Sequence, residues 1–140
     1  MPYLWALYFL VIATSLFGLR QPGNVVAQAR NFFGCYHVVL YDDAVGLFDG
    51  DTLHGLQWRS PEKQQEPTKY YKAQTGFWHC EKLLRERHTG PLNIAVVGLG
   101  TGTIACYGRP GDHIVFYEID PKVVFAANKY FSFLKASRAT

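Results

Sequence analysis

The sequence predicts an α/β protein whose second half opens a doubly wound parallel sheet, and three observations carry that expectation. Leu92 to Val97 (LNIAVV) is a short, almost wholly apolar run of the kind found in strands buried on both faces. Directly after it comes Gly98-Leu99-Gly100-Thr101-Gly102, a glycine loop placed to open a helix. A second apolar run, His113 to Glu118 (HIVFYE), follows the turn Arg109-Pro110-Gly111-Asp112 and leads into a helix that Asp120 caps and Pro121 begins. Strand, glycine turn, helix, strand, helix is the opening of a Rossmann-like fold, and 140 residues have room for its first half.

Upstream elements complete a three-part organisation: a hydrophobic helix over 1–20, a small β-meander over 30–60 and a partial nucleotide-binding domain over 61–140. Pro2 to Leu19 carries no charged side chain. As a helix it would extend about 27 Å at ~1.5 Å per residue, close to bilayer thickness, so the expectation is a membrane span through residues 2–19. Arg20 and Arg30 follow it, which places the rest of the chain in the cytoplasm by the positive-inside tendency. A signal peptide is the rival reading, on the small-x-small triplet Ala27-Gln28-Ala29, but no basic segment precedes the apolar run and the triplet lies far beyond it.

Pro22 and Gly23 break the apolar segment. Phe33 to Tyr41, Val45 to Asp49 and Thr52 to Trp58 are β-rich runs joined through Asp42-Asp43 and Asp49-Gly50-Asp51, which gives a small antiparallel meander. Ser60 to Thr68 is polar, bracketed by Pro61 and Pro67, and reads as a surface loop. Tyr70 to Arg87 has a mixed amphipathic pattern with Phe77, Trp78, Leu83 and Leu84, and reads as helical.

Composition excludes several classes. A net charge of +3 with scattered Lys and Arg offers no basic stripe for nucleic acid. Cys35, Cys80 and Cys106 are an odd set at wide spacing, without the paired pattern of a zinc site or a disulfide framework, so no metal is expected. His79 beside Cys80 lacks a second ligand pair, and His54 reads as a lone histidine in a strand.

The residues that carry chemistry are the glycines and one acid. Gly98 permits a tight turn off the strand, Gly100 lets a ligand approach the backbone, and Gly102 lets the following helix pack closely. Glu118 ends the second strand, where such an architecture places the carboxylate that accepts hydrogen bonds from ribose hydroxyls. Asp120 reads mainly as a helix cap, with a ligand role as the alternative.

The strings VVGLGTGTIACYGRPGD and FYEIDP, with RNFFG, LHGLQ and EPTKYY upstream, make residues 30–134 resemble the spermidine synthase family of polyamine aminopropyltransferases, in its membrane-fused subgroup. The resemblance implies a methyltransferase-type Rossmann-like fold behind a small antiparallel β unit. It further implies S-adenosylmethionine or its decarboxylated form as nucleotide substrate, and a polyamine as acceptor. Carried over onto this chain, Gln57 reaches the nucleoside, Glu118 holds the ribose, Thr101 belongs to the nucleotide loop, and Tyr70 or Tyr71 lines the polyamine side. Two departures follow. The family carries an aspartate where this chain has Thr101, and a neutral hydroxyl forgoes an attraction to the cationic aminopropyl arm of about 4 kcal/mol at an effective dielectric of ~20 and ~4 Å. The family's general base, an aspartate at the end of a later strand, would lie beyond Thr140.

Three functions therefore stand as expectations: an aminopropyltransferase-like domain of polyamine biosynthesis, a methyltransferase or other nucleotide-binding protein, and a membrane-tethered remnant without catalysis. A sheet of two parallel strands leaves an open edge, so a marginal fold or a homodimer is expected.

Overall fold

The computed structural model describes residues 23–140. The expected hydrophobic helix over 1–20 lies outside the described residues. Among the described residues no helix is long and apolar enough to cross a membrane.

The larger sheet is antiparallel and sequential, with β1 (Asn24–Arg30), β2 (Cys35–Leu40), β3 (Ala44–Asp49) and β4 (Thr52–Trp58) in the order β1-β2-β3-β4. Short polar turns set this topology. The Asn31 side chain closes the first by accepting from the N–H groups of Phe33 at 2.9 Å and Gly34 at 3.2 Å, the Asx-turn habit of asparagine. The third turns at Gly50, whose φ of +52° suits a residue without Cβ. β3 is buried along nearly its whole length, because it runs through the middle of the sheet. Val38, Val45 and Leu47 from β2 and β3 pack on Val123 and Ala126 of a helix, and on Phe131 and Phe133 just beyond it.

After the loop, Lys69–Tyr71 makes one 3-10 turn, followed by α1 (Gly76–Arg87), which Thr75 caps by accepting from Trp78 N at 3.5 Å. β5 (Asn93–Val97) and β6 (His113–Tyr117) pair in parallel with Asn93 opposite His113 and Val97 opposite Tyr117. The 3-10 segment Thr103–Tyr107 connects them, and α2 (Pro121–Tyr130) follows β6.

This architecture corrects the expected fold class. The chain does not form the doubly wound, Rossmann-like α/β arrangement. Its principal sheet is the four-stranded antiparallel one, and the parallel component is limited to two strands. A doubly wound sheet is buried on both faces by helices. Here α1 contributes no fully buried residue, and β5 exposes Asn93, Ala95 and Val97 in alternation. Val97 is 92 % exposed, so the apolar run LNIAVV, read as a strand covered on both sides, is covered on one. One further element differs from expectation: β1 occupies the segment that contains Ala27-Gln28-Ala29. The short helical stretch expected after the glycine loop is present as a 3-10 helix over Thr103–Tyr107, closed by Gly108, and its aligned dipole is correspondingly small.

The parallel unit is locked by an ion pair. Arg85 of α1 donates to Asp112 through Nη1 at 3.0 Å and Nη2 at 2.6 Å, and through Nε to Glu81 at 2.8 Å. Asp112 also accepts from Leu92 N at 2.8 Å and Arg109 N at 2.9 Å. One carboxylate thus ties α1, the entry to β5 and the turn before β6. The Arg85 guanidinium and these two amides hold its carboxyl well below the usual carboxylate range.

Candidate functional site

The site grows from the C-terminal ends of β5 and β6. Parallel pairing brings Val97 and Tyr117 side by side, so the residues that follow each strand, Gly98 to Gly102 and Glu118 to Asp120, emerge at one edge. Gly98 N donates to Tyr117 O at 2.9 Å, which extends the ladder one residue into the turn. The chain then reverses through φ values of +85° at Gly98 and +55° at Gly100, a region where side chains are strained.

Glu118 reaches this turn. Its Oε2 accepts from Leu99 N at 2.8 Å and its Oε1 from Asp120 N at 2.9 Å. Two amides therefore fix the carboxylate at the lip of the glycine loop, each oxygen keeping a lone pair for a further donor. Gly102 N donates to Leu99 O at 2.9 Å, whereas the N–H groups of Gly100 and Thr101 meet no acceptor among the described residues. A fixed acceptor pair beside unengaged amide donors suits a polyhydroxylated or anionic small molecule. Val97 and Ile119, 92 % and 74 % exposed, flank the acid with bare apolar surface.

Asp120 serves the fold. It is 1 % exposed, caps α2 by accepting from Lys122 N at 2.8 Å, and accepts from Asn31 Nδ2 at 2.7 Å, so it joins the β1–β2 turn to α2. Its Oδ2 is buried and meets no hydrogen-bond partner among the described residues. The Tyr36 hydroxyl is pushed up to about 12, first by burial and then by the Asp120 charge.

Gln57 is likewise absorbed by structure. It is 2 % exposed. Its Nε2 donates to Gln64 O and to Ser132 Oγ, both at 2.8 Å, while its Oε1 accepts from Ser132 N at 2.9 Å. Both amide hydrogens are spent on bridging β4, the polar loop and the chain after α2. Thr101 is 2 % exposed and its hydroxyl shares a 2.9 Å hydrogen bond with Thr103 Oγ1. The side chain packs against Gly55 of β4.

The two tyrosines separate. Tyr71 takes part in packing, its ring 5.2 Å from Phe77 edge-on and its carbonyl accepting from the Tyr107 hydroxyl. Tyr70 is 62 % exposed, with its hydroxyl donating to Leu53 O at 3.4 Å. Since Leu53 adjoins His54, and the His54 carbonyl lies 3.6 Å from where a Cβ on Gly100 would stand, Tyr70 belongs to the neighbourhood of the glycine turn.

Sequence reasoning missed Asn31 and Gly55. Asn31 carries the local signature of an Asx turn, but nothing nearby in sequence reveals its bond to Asp120, 89 positions away. A cavity of about 140 Å³ also lies between β1, β2 and α2, lined by Ala27, Tyr36, Val38, Phe125 and Ala126. It is separate from the glycine turn. No group of three or more His, Cys, Asp or Glu that could hold a metal occurs among the described residues. Comparison with family models, curated proteins and solved structures returns no match.

Proposed function

We propose that this chain binds an S-adenosyl nucleotide at the glycine turn and serves transfer of a group from its sulfonium to an amine, as the spermidine synthase resemblance implies. The observation that carries the reading is the placement of Glu118, braced by Leu99 N and Asp120 N beside the unengaged amides of Gly100 and Thr101. A carboxylate held this way accepts from vicinal ribose hydroxyls with little reorganisation on binding. The apolar surfaces of Val97 and Ile119 offer a contact for the nucleoside.

Thr101 does not select the donor. Its side chain is buried against β4 rather than presented to ligand, so nothing at this position distinguishes an aminopropyl arm from a methionyl one. Methyl transfer from S-adenosylmethionine is therefore the second reading. Residues 2–19 would tether the domain to a membrane, with Arg20 and Arg30 keeping it on the cytoplasmic side.

Calorimetric titration with S-adenosylmethionine, decarboxylated S-adenosylmethionine, methylthioadenosine and NAD tests the proposal. Adenosyl thioether or sulfonium ligands are expected to bind the wild type. Glu118→Gln should weaken them about 10- to 100-fold, the range of lost hydrogen bonds to a charged group. Binding of NAD alone, or equal affinity in Glu118→Gln, overturns it.

A further inference from the structure

A groove of about 550 Å³ runs from β1 to the end of α2, and its walls carry Val26, Trp58, Arg59, Lys129, Tyr130 and Lys135. That volume is within the range of small-molecule clefts. Three cations line the groove and no carboxylate does. Asp42 and Asp43 line a neighbouring depression, which Trp58 and Arg59 also border. None of Gly98 to Gly102 lines the groove, nor does Glu118, so it is distinct from the glycine turn.

Two of the cations are held in place. Arg59 Nη1 donates to Tyr41 O at 3.2 Å and to Asp42 O at 2.9 Å. Lys129 Nζ stands over the ring of Phe125 at 5.2 Å and that of Tyr130 at 5.3 Å. Neither they nor Lys135 form an ion pair among the described residues. A guanidinium fork and two ammonium groups set among aromatic walls suit a phosphate carried on an apolar body.

The start of the domain decides which phosphate. Val26 follows Leu19 by 7 positions, so the groove begins within about 23 Å of the end of the apolar segment even along a fully extended chain. Val25 and Val26 add apolar surface there, 50 % and 44 % exposed. Arg20 and Arg30 assign the domain to the cytoplasmic side, where the leaflet is anionic and attracts cations close to a membrane anchor.

From this placement we infer that the groove seats the phosphate of an anionic phospholipid headgroup, which lays this face of the domain on the bilayer. The inference rests on the membrane tether proposed above for residues 2–19. It assigns Arg59, Lys129 and Lys135 to the headgroup.

The test inserts the full chain in vesicles of phosphatidylcholine, alone or mixed with phosphatidylglycerol, and follows acylation of each lysine by a water-soluble succinimidyl ester with mass mapping. Phosphatidylglycerol should slow Lys129 and Lys135 at least about fivefold, the worth of one basic residue at an anionic surface. Lys82, on α1 and outside the groove, should keep its rate. Lys135→Gln should reduce the protection of Lys129, and inorganic phosphate added to phosphatidylcholine vesicles should give none. Equal rates in the two vesicles, equal slowing of Lys82, protection of Lys129 that Lys135→Gln leaves intact, or protection by inorganic phosphate alone each overturns the lipid assignment. A chain that does not float with phosphatidylcholine vesicles overturns the tether instead, and the lipid assignment with it.

Discussion

Gly55 and Thr101 touch across the junction of β4 and the glycine turn, so closely that a Cβ on Gly55 would stand 2.6 Å from Thr101 Cγ2 and nearer still to its hydroxyl. Backbone of one sheet thus abuts the loop that carries the candidate site. Gly55→Ala should destabilise the protein by about 1–3 kcal/mol, the range of overpacking in a closed interior. The same change made together with Thr101→Ala should cost much less, because the obstructing atoms are gone. Denaturant unfolding of the four proteins of this double-mutant cycle is the measurement, and additive penalties would show that the contact is absent.

The Arg85–Asp112 pair offers a second test. Its side chains are only 5 % and 1 % exposed, so removing one partner strands the other in a water-poor site. Asp112→Asn should cost about 3–5 kcal/mol. Arg85→Met with Asp112→Leu should recover part of that loss. Thermal melts with matched denaturant titrations decide it.

The same carboxylate makes a signed prediction for pH. The folded state holds Asp112 well below the usual carboxylate range through Arg85, whereas an unfolded chain returns it to about 3.9. The stabilisation is therefore complete above the unfolded value and drains away as pH falls from about 5 towards the folded one. The urea midpoint of the wild type should drop steeply across this interval, and that of Asp112→Asn should be flatter. Parallel curves would refute the assignment.

Gln57 separates a structural from a ligand-binding role. Gln57→Leu leaves Ser132 N and Gln64 O without their partner, a loss of at least about 2 kcal/mol for two buried polar groups. Affinity for methylthioadenosine should be unchanged once the variant is folded. A selective loss of affinity at undiminished stability would restore the nucleoside role that the resemblance assigns to it.

Cysteine reactivity should follow burial. The Cys106 thiol is pushed up to about 12 by burial, while Cys35 and Cys80 are exposed. Iodoacetamide at pH 8 should modify Cys35 and Cys80 well before Cys106, since the thiolate is the reacting species. Mass mapping over time reads the order directly.

Much of the local structure was legible because its causes are local. Asp49-Gly50 marks a hairpin, Asp120-Pro121 a helix start, and Gly98 a turn off a strand, each through the conformational preference of one or two residues. The glycine turn and Glu118 could be placed at neighbouring strand ends on the same basis. The fold class was misjudged where the inference needed more than neighbours. An apolar run records that a strand is suited to burial, yet whether both faces are covered depends on the elements that pack against it, and β5 has one face open.

Sequence alone determined three of the four antiparallel strands, the two parallel strands, the helix that begins at Pro121 and which residue types stand at the ends of β5 and β6. Tertiary structure alone decided how the polar groups are spent. Gln57 is consumed by Ser132, 75 positions on, Asp120 by Asn31, and Thr101 by its fit against Gly55, while His54 is left exposed on a bulge. The reason is that conformational preference acts over one or two residues, whereas a buried hydrogen bond must find its partner wherever folding brings one within about 3 Å.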